Sequence, residues 1–272
     1  MTVLLQISDP HFGTERDEVV EALLALAWQL QPEVVVLSGD ITQRARARQF
    51  DAARRFVDRL PAALRLIVPG NHDIPLFNIA ERLFCAYRGH RRVFGDDLEP
   101  VVETDTLLVL GVNTTRAWRH TDGEVSAAQV ERVAQRLRRA TAQQLRIVVT
   151  HQPVDVPRPR DEHNLLHGRE AAVRRWAAAG ADILMGGHIH LPYVRALTGR
   201  YPDLARAAWC VQAGTSVSTR IRPGAPNSVN VIRYLPASQR CSVERWDCLA
   251  GGAFSLGEIT TMTLDRSAGP QP

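Results

Sequence analysis

Over the first two thirds of the chain, short aliphatic and β-branched runs alternate with longer amphipathic stretches. Val3-Leu4-Leu5-Gln6-Ile7 reads as a buried strand, being too short and too uniformly apolar for a surface helix. Asp17 to Leu30 predicts a helix, because Val19, Val20, Leu23, Leu26, Ala27 and Leu30 share one face. Trp28, on that helix, is expected in a helix–sheet core. Val34 to Leu37 predicts a second strand, Thr42 an N-cap, and Gln43 to Leu60 a helix ended by Pro61. Further strands are predicted over 64–68, 106–112, 146–150 and 183–185, and further helices over 126–139, capped by Ser126, and 169–179.

This alternation argues for an α/β domain. The last third differs: segments around 207–213, 228–235, 242–249 and 257–264 read as strands with no helix between them. One domain over 1–272 is the simplest organisation. It has an α/β core over 1–195 and a β-rich part over 196–272 that completes a second sheet. Residues 235–272 either close that sheet or mediate a homodimer. The connections 75–100 and 152–168 are long for a compact domain, and such loops are usually functional.

Polar residues fall at informative places. The first strand ends in Ser8-Asp9-Pro10-His11, the second in Ser38-Gly39-Asp40, and the third in Pro69-Gly70-Asn71-His72-Asp73. The strand at 146–150 ends in His151, and the one at 183–185 in Gly186-Gly187-His188-Ile189-His190. The carboxyl ends of strands in α/β sheets converge on one rim, where ligands bind. Each motif alone is weak, since an isolated Asp-x-His is more often a cap or a solvated pair. Together Asp9, His11, Asp40, Asn71, His151, His188 and His190 are too many for one metal with three or four protein ligands. They suit two metals sharing a carboxylate. Mixed Asp, Asn and His donors favour Mn, Fe, Zn or Co over Ca or Mg. Two carboxylates offset only half the charge of two dications, so the pocket asks for an anion: a bridging hydroxide and a phosphate group. Two metals about 3.5–4 Å apart can bring a water pKa near neutrality and clamp an in-line displacement.

Composition narrows the class without changing it. Of 272 residues, 45% are apolar and 23% charged, the balance of a globular protein. All 33 basic side chains are arginine, yet acidic residues are interspersed and the net charge is only +4. No long basic run supports a nucleic-acid partner. No window offers the ~18 apolar residues of a membrane span, and the N-terminus does not read as a signal peptide. The four cysteines form no metal-binding pair and are expected as free buried thiols in a reducing cytoplasm. His90, His120, His163 and His167 read as solvated, with a lid role open for the last two.

The ordered set Asp9-x-His11, Gly39-Asp40, Gly70-Asn71-His72-Asp73, His151 and Gly187-His188-x-His190 resembles the calcineurin-like metallophosphoesterases. The compact length looks like the bacterial class III cyclic nucleotide phosphodiesterases. Gln212-Ala213-Gly214-Thr215-Ser216, Arg220, Arg222 and Asn227-Ser228-Val229-Asn230 are similar to their C-terminal part. The resemblance implies an αββα sandwich of two mixed β-sheets flanked by helices. It implies a metal-dependent hydrolase of small phosphodiesters, 3′,5′-cyclic nucleotides among them, using two divalent ions: Mn or Fe first, Zn or Co next. Asp9, His11, Asp40 and His190 would hold one ion. Asp40 as bridge, Asn71, His151 and His188 would hold the other, and a metal-bridging hydroxide would attack phosphorus. His72 and Asp73 are the implied catalytic pair, His72 donating to the phosphoryl oxygen or protonating the leaving alkoxide while Asp73 orients it. A histidine between a ligand and a carboxylate suits that work on its own chemistry. Substrate contacts are expected from Asn71, His72, Phe77, Arg220 and Arg222. Phe12 and Phe77 each face a substrate base or pack. A nucleotide–lipid pyrophosphatase of the superfamily would normally carry Arg where His72 stands, and a nuclease relative would be longer. A non-catalytic interaction scaffold would tend to lose ligands that this chain keeps.

Overall fold

In the computed structural model, which describes residues 1–238, 240–249 and 252–265, two six-stranded sheets face each other between two layers of helices. The strands in chain order are β1 (Thr2–Ile7), β2 (Val34–Ser38), β3 (Leu64–Val68), β4 (Val101–Glu103), β5 (Leu107–Gly111) and β6 (Leu145–Val149). They continue as β7 (Ile183–Gly186), β8 (Tyr193–Ala196), β9 (Trp209–Gln212), β10 (Ser228–Leu235), β11 (Arg240–Cys248) and β12 (Phe254–Thr263). The helices are α1 (Asp17–Leu30), α2 (Ala47–Asp58), α3 (Ile79–Phe84), α4 (Arg88–Phe94), α5 (Ala127–Leu137) and α6 (Arg169–Ala178). The sheets run β12-β11-β10-β1-β2-β3 and β4-β5-β6-β7-β9-β8, each mixing parallel and antiparallel pairs.

Strands β1, β2, β5, β6 and β7 are largely apolar and buried along their whole length because both of their faces are covered. Leu4, Val34 and Val36 enter the core between the sheets, with Val109, Ile147 and Met185 from the other side. Leu5, Val35 and Leu37 point the opposite way, against Leu23 and Ala27 of α1 and Phe56 of α2. On the far side α5 and α6 cover the second sheet around Trp176, whose Nε1 donates to Val130 O at 3.1 Å.

The C-terminal strands serve both sheets. β8 and β9 join the second, while β10, β11 and β12 extend the first through antiparallel pairing with β1. Positions 239, 250–251 and 266–272 of the segment read as sheet or dimer contact lie outside the described residues. No helix among the described residues is long and apolar enough to cross a membrane.

Several local expectations are corrected. The second helix begins at Ala47, not Gln43, since the Thr42 hydroxyl donates to buried Asp73 (2.8 Å) and Gln49 caps the helix by accepting from the Arg46 amide. The connection 75–100 contains α3 and α4. Trp28 is 60% exposed, its Nε1 donating to Arg59 O at 3.2 Å. Cys85 is exposed, whereas Cys210 and Cys241 are buried.

His90 is fully buried rather than solvated, packed edge-on against Phe50 and tilted against Phe94. Burial, with a smaller push from Arg91, lowers it from 6.5 to about 4. The unfolded chain therefore takes the proton first as pH falls. The stability that neutral His90 contributes is complete above its unfolded pKa and is lost between 6.5 and about 4. The full loss is roughly 3 kcal/mol. In urea unfolding, His90→Leu is expected to flatten the acid limb of stability over that window; an acid limb identical to wild type would reject the assignment.

Candidate metal centre

Five strand ends meet where the carboxyl edges of the two sheets adjoin. β1 delivers Asp9 and His11, β2 delivers Asp40, and the 3-10 turn after β3 delivers Asn71 and His72. From the second sheet come His151 after β6 and His188 and His190 after β7. Asp9, His11, Asp40 and His151 are fully or almost fully buried.

The donor atoms divide into two groups that share one residue. Asp40 Oδ2 lies 3.7 Å from His11 Nε2, and its Oδ1 lies 3.3 Å from His151 Nε2. Around the first oxygen, His11 Nε2 and His190 Nε2 are 3.0 Å apart, and Asp9 Oδ1 is 3.3 Å from His190 Nε2. Around the second, Asn71 Oδ1 is 3.2 Å from His151 Nε2, and His188 completes the cluster. Two rings are held by carbonyls: His151 Nδ1 donates to Ser38 O (2.9 Å) and His190 Nδ1 to Arg220 O (2.6 Å). A carbonyl only accepts, so in the neutral rings the Nε2 lone pairs face the cluster, the tautomer that metal ligation needs.

Electrostatics are consistent with this donor set. Burial holds His11 and His188 neutral, down to about 3 in each case. Burial also opposes the charge on Asp9, but the neighbouring His190 and His151 together overcome it and leave the carboxyl at about 2. Burial works against a charged His151 as well, yet Asp40 beside it pulls the ring up to about 9. A divalent ion held at that Nε2 would displace the proton. Nitrogen and oxygen donors without thiolate, two of the rings tautomerically fixed, fit divalent metal ions.

The backbone is bent to make this possible. Asp9 (φ 50°), His11 (45°), Asp40 (49°), His188 (72°) and His190 (53°) all occupy the left-handed region. Few non-glycine residues do so, and such conformations cluster at functional sites. The Asp9 corner is clamped by Thr215, whose Oγ1 donates to Asp9 O at 2.6 Å. Gly187 lets β7 pass close to β1: a Cβ there would lie 1.9 Å from Ser8 Oγ.

Not every expected role survives the geometry. Asp73 does not reach the His72 ring. Its carboxylate accepts from the amides of Ile41 (3.0 Å), Thr42 (2.7 Å) and Gly70 (2.9 Å), tying the turns after β2 and β3 together. Burial and the charge of Asp40 raise it to about 6. The ring is instead oriented by the backbone, His72 Nδ1 donating to Gln43 O at 2.9 Å. Arg220 Nη1 donates to His72 Nε2 and to Gln43 Oε1, both at 3.1 Å. Arg222 lines the same cavity, but its Nη2 is held by both oxygens of Asp161, at 2.7 and 2.9 Å. Phe77 is 80% exposed beneath the Arg44 guanidinium, and Phe12 packs in the core against Phe56. Gln43 carries no signal in the sequence; Thr215 sits inside the singled-out stretch 212–216.

A family model described as calcineurin-like phosphoesterase matches residues 2–192. No curated protein matches the sequence significantly. Among solved structures, the purple acid phosphatase PPD1 from yellow lupin (Lupinus luteus) seeds is similar at 11% identity and a TM-score of 0.72. The match covers 96% of this chain and 53% of that one, so the chain spans about half the length of the lupin enzyme. A dimetal phosphatase from Danio rerio is similar at 15% identity and a TM-score of 0.64, over 97% of this chain and 99% of that one. Vps29 from Entamoeba histolytica is similar at 12% identity and a TM-score of 0.51, over 96% and 100%. At these identities the likeness is one of fold.

Proposed function

This chain belongs to the calcineurin-like phosphoesterase family, and from that premise we propose that it is a two-metal phosphodiesterase of small phosphodiesters, 3′,5′-cyclic nucleotides among them. The observation that carries the reading is the pair of oxygens on Asp40, one facing His11 and the other facing His151. A carboxylate so placed would serve two ions at once. Asp9, His11 and His190 would complete one position; Asn71, His151 and His188 would complete the other. When bound, two divalent ions supply Lewis acidity to the phosphoryl oxygens and acidify water. The all-nitrogen-and-oxygen donor set suits manganese or iron, then zinc or cobalt.

The chain's own groups handle binding and the proton. Arg220 meets the entering phosphate, a charge-assisted contact that a planar guanidinium makes well. As the phosphoryl oxygen takes the guanidinium, His72 Nε2 is released from Arg220 while Nδ1 stays on Gln43 O. The freed Nε2, a lone pair while Nδ1 keeps its hydrogen, takes up a proton from solvent and passes it to the departing alkoxide, and the proton that the attacking water loses goes to solvent. Water adds to phosphorus, the ester bond breaks, and an alcohol and a phosphomonoester leave.

The test is a panel of bis(p-nitrophenyl) phosphate, cyclic AMP, a nucleotide–lipid pyrophosphate and single-stranded DNA, with elemental analysis of the protein. Hydrolysis of the first two with two metal equivalents per chain is the expected result. Saturating Mn²⁺ added to chelated protein should also raise the melting temperature by mass action. No diester turnover with any divalent metal, or an unmoved melting temperature, would overturn the proposal.

A further inference from the structure

The candidate centre opens into a cavity of about 600 Å³. Part of its wall comes from a separate place in the chain, the 3-10 turn Pro159–Asn164, which brings His163 and Asn164 to the lining. We infer that this turn reads the organic part of the substrate, and that the part it reads is a nucleobase. The inference rests on the phosphodiesterase reading above and names the substrate class for that site.

Three observations carry it. First, the turn is held rather than loose. Arg222 Nη2 grips Asp161 from across the cavity wall and its Nη1 donates to Ile189 O at 3.1 Å. Glu162 accepts from Arg200 Nη2 at 2.9 Å, and Leu165 packs with Val156 and Ile189. A recognition element that is already fixed discriminates without an ordering cost.

Second, the local hydrogen bonds show which polar atoms of the turn are already engaged within it. Asn164 Nδ2 donates to Asp161 O (3.2 Å) and to His163 Nε2 (3.1 Å). An amide nitrogen only donates, so His163 Nε2 accepts and the proton of the neutral ring sits on Nδ1. The two residues therefore offer one donor, His163 Nδ1–H, beside one acceptor, Asn164 Oδ1. Adjacent donor and acceptor match a base edge that presents an amine next to a ring nitrogen.

Third, the lining is wrong for an acyl chain. Thr121, His163 and Asn164 stand with Arg220 and Arg222 in this wall, and only Ile189, Ile221 and Pro223 are apolar. A lipid tail would leave those polar groups unpaired, and sites built to hydrogen-bond a ligand reject analogues that lack the partner.

The experiment compares kcat/KM for 3′,5′-cyclic AMP with kcat/KM for bis(p-nitrophenyl) phosphate, which has no base, in wild type, His163→Ala and Asn164→Ala. The ratio is expected to fall by about 10-fold or more in each variant, through KM, and Arg222→Met should reproduce the fall by releasing the turn. An active wild type whose ratio is unmoved by both alanine substitutions would overturn the role of the turn alone. A wild type that cleaves the nitrophenyl ester but no nucleotide diester would overturn the substrate class. A wild type inactive on both refutes the phosphodiesterase reading beneath it.

Discussion

Asp40→Ala is expected to abolish both metal positions together and to lower kcat/KM on any accepted diester by on the order of 10³-fold or more, several kcal/mol of transition-state stabilisation. The size of the effect follows from its position. One carboxylate presents its two oxygens to two histidine groups, and Oδ1 also accepts from the His72 amide at 2.8 Å. Elemental analysis separates this from an ordinary ligand loss. Asp9→Asn, on one side only, should leave about one metal equivalent per chain, whereas Asp40→Ala should leave close to none. Circular dichroism confirms that the variant is folded before the metal is counted. Retention of two equivalents by folded Asp40→Ala protein would remove the bridge from the account.

The second large effect belongs to His72. With the metals retained, His72→Ala should lower kcat on cyclic AMP by ~10²–10⁴-fold, the range for losing a positioned acid. The loss should be far smaller on bis(p-nitrophenyl) phosphate, because nitrophenolate leaves without a proton whereas a ribose alkoxide does not. Equal losses on both substrates would assign His72 to phosphoryl charge instead. Full activity on both would remove it from the mechanism.

What the sequence discloses and what it conceals have physical reasons. Strands β1, β2, β5, β6 and β7 are legible because both of their faces are covered, which writes a largely apolar run into the chain. The candidate ligands are legible for a related reason: each stands where such a run stops and a polar residue follows. Short edge strands such as β4 and β8 bury little and leave almost no pattern. Partner choice between strands is a long-range property, so the division of the C-terminal strands between both sheets is not written in any local window. Single side chains are hardest. Asp73 looks like an orienting carboxylate for its neighbour, yet backbone amides on two turns claim it first. His90 stands in an arginine-rich stretch that reads as solvated, and only the packing of α4 against α2 buries it. Arg220 and Arg222 look alike in sequence, but an acidic partner on a distant turn occupies one and not the other.

The left-handed corners at Asp9, His11, Asp40, His188 and His190 bear on attempts to engineer this protein. At about 1 kcal/mol or more each, five such corners rival the net free energy that keeps a whole domain folded. Glycine is the residue that would relax them, and at each of these positions it would also erase a donor atom. A library selected only for heat resistance should therefore accumulate glycine at the rim and recover robust, inert proteins. Selection for turnover in the same screen is what would keep these five positions as they are.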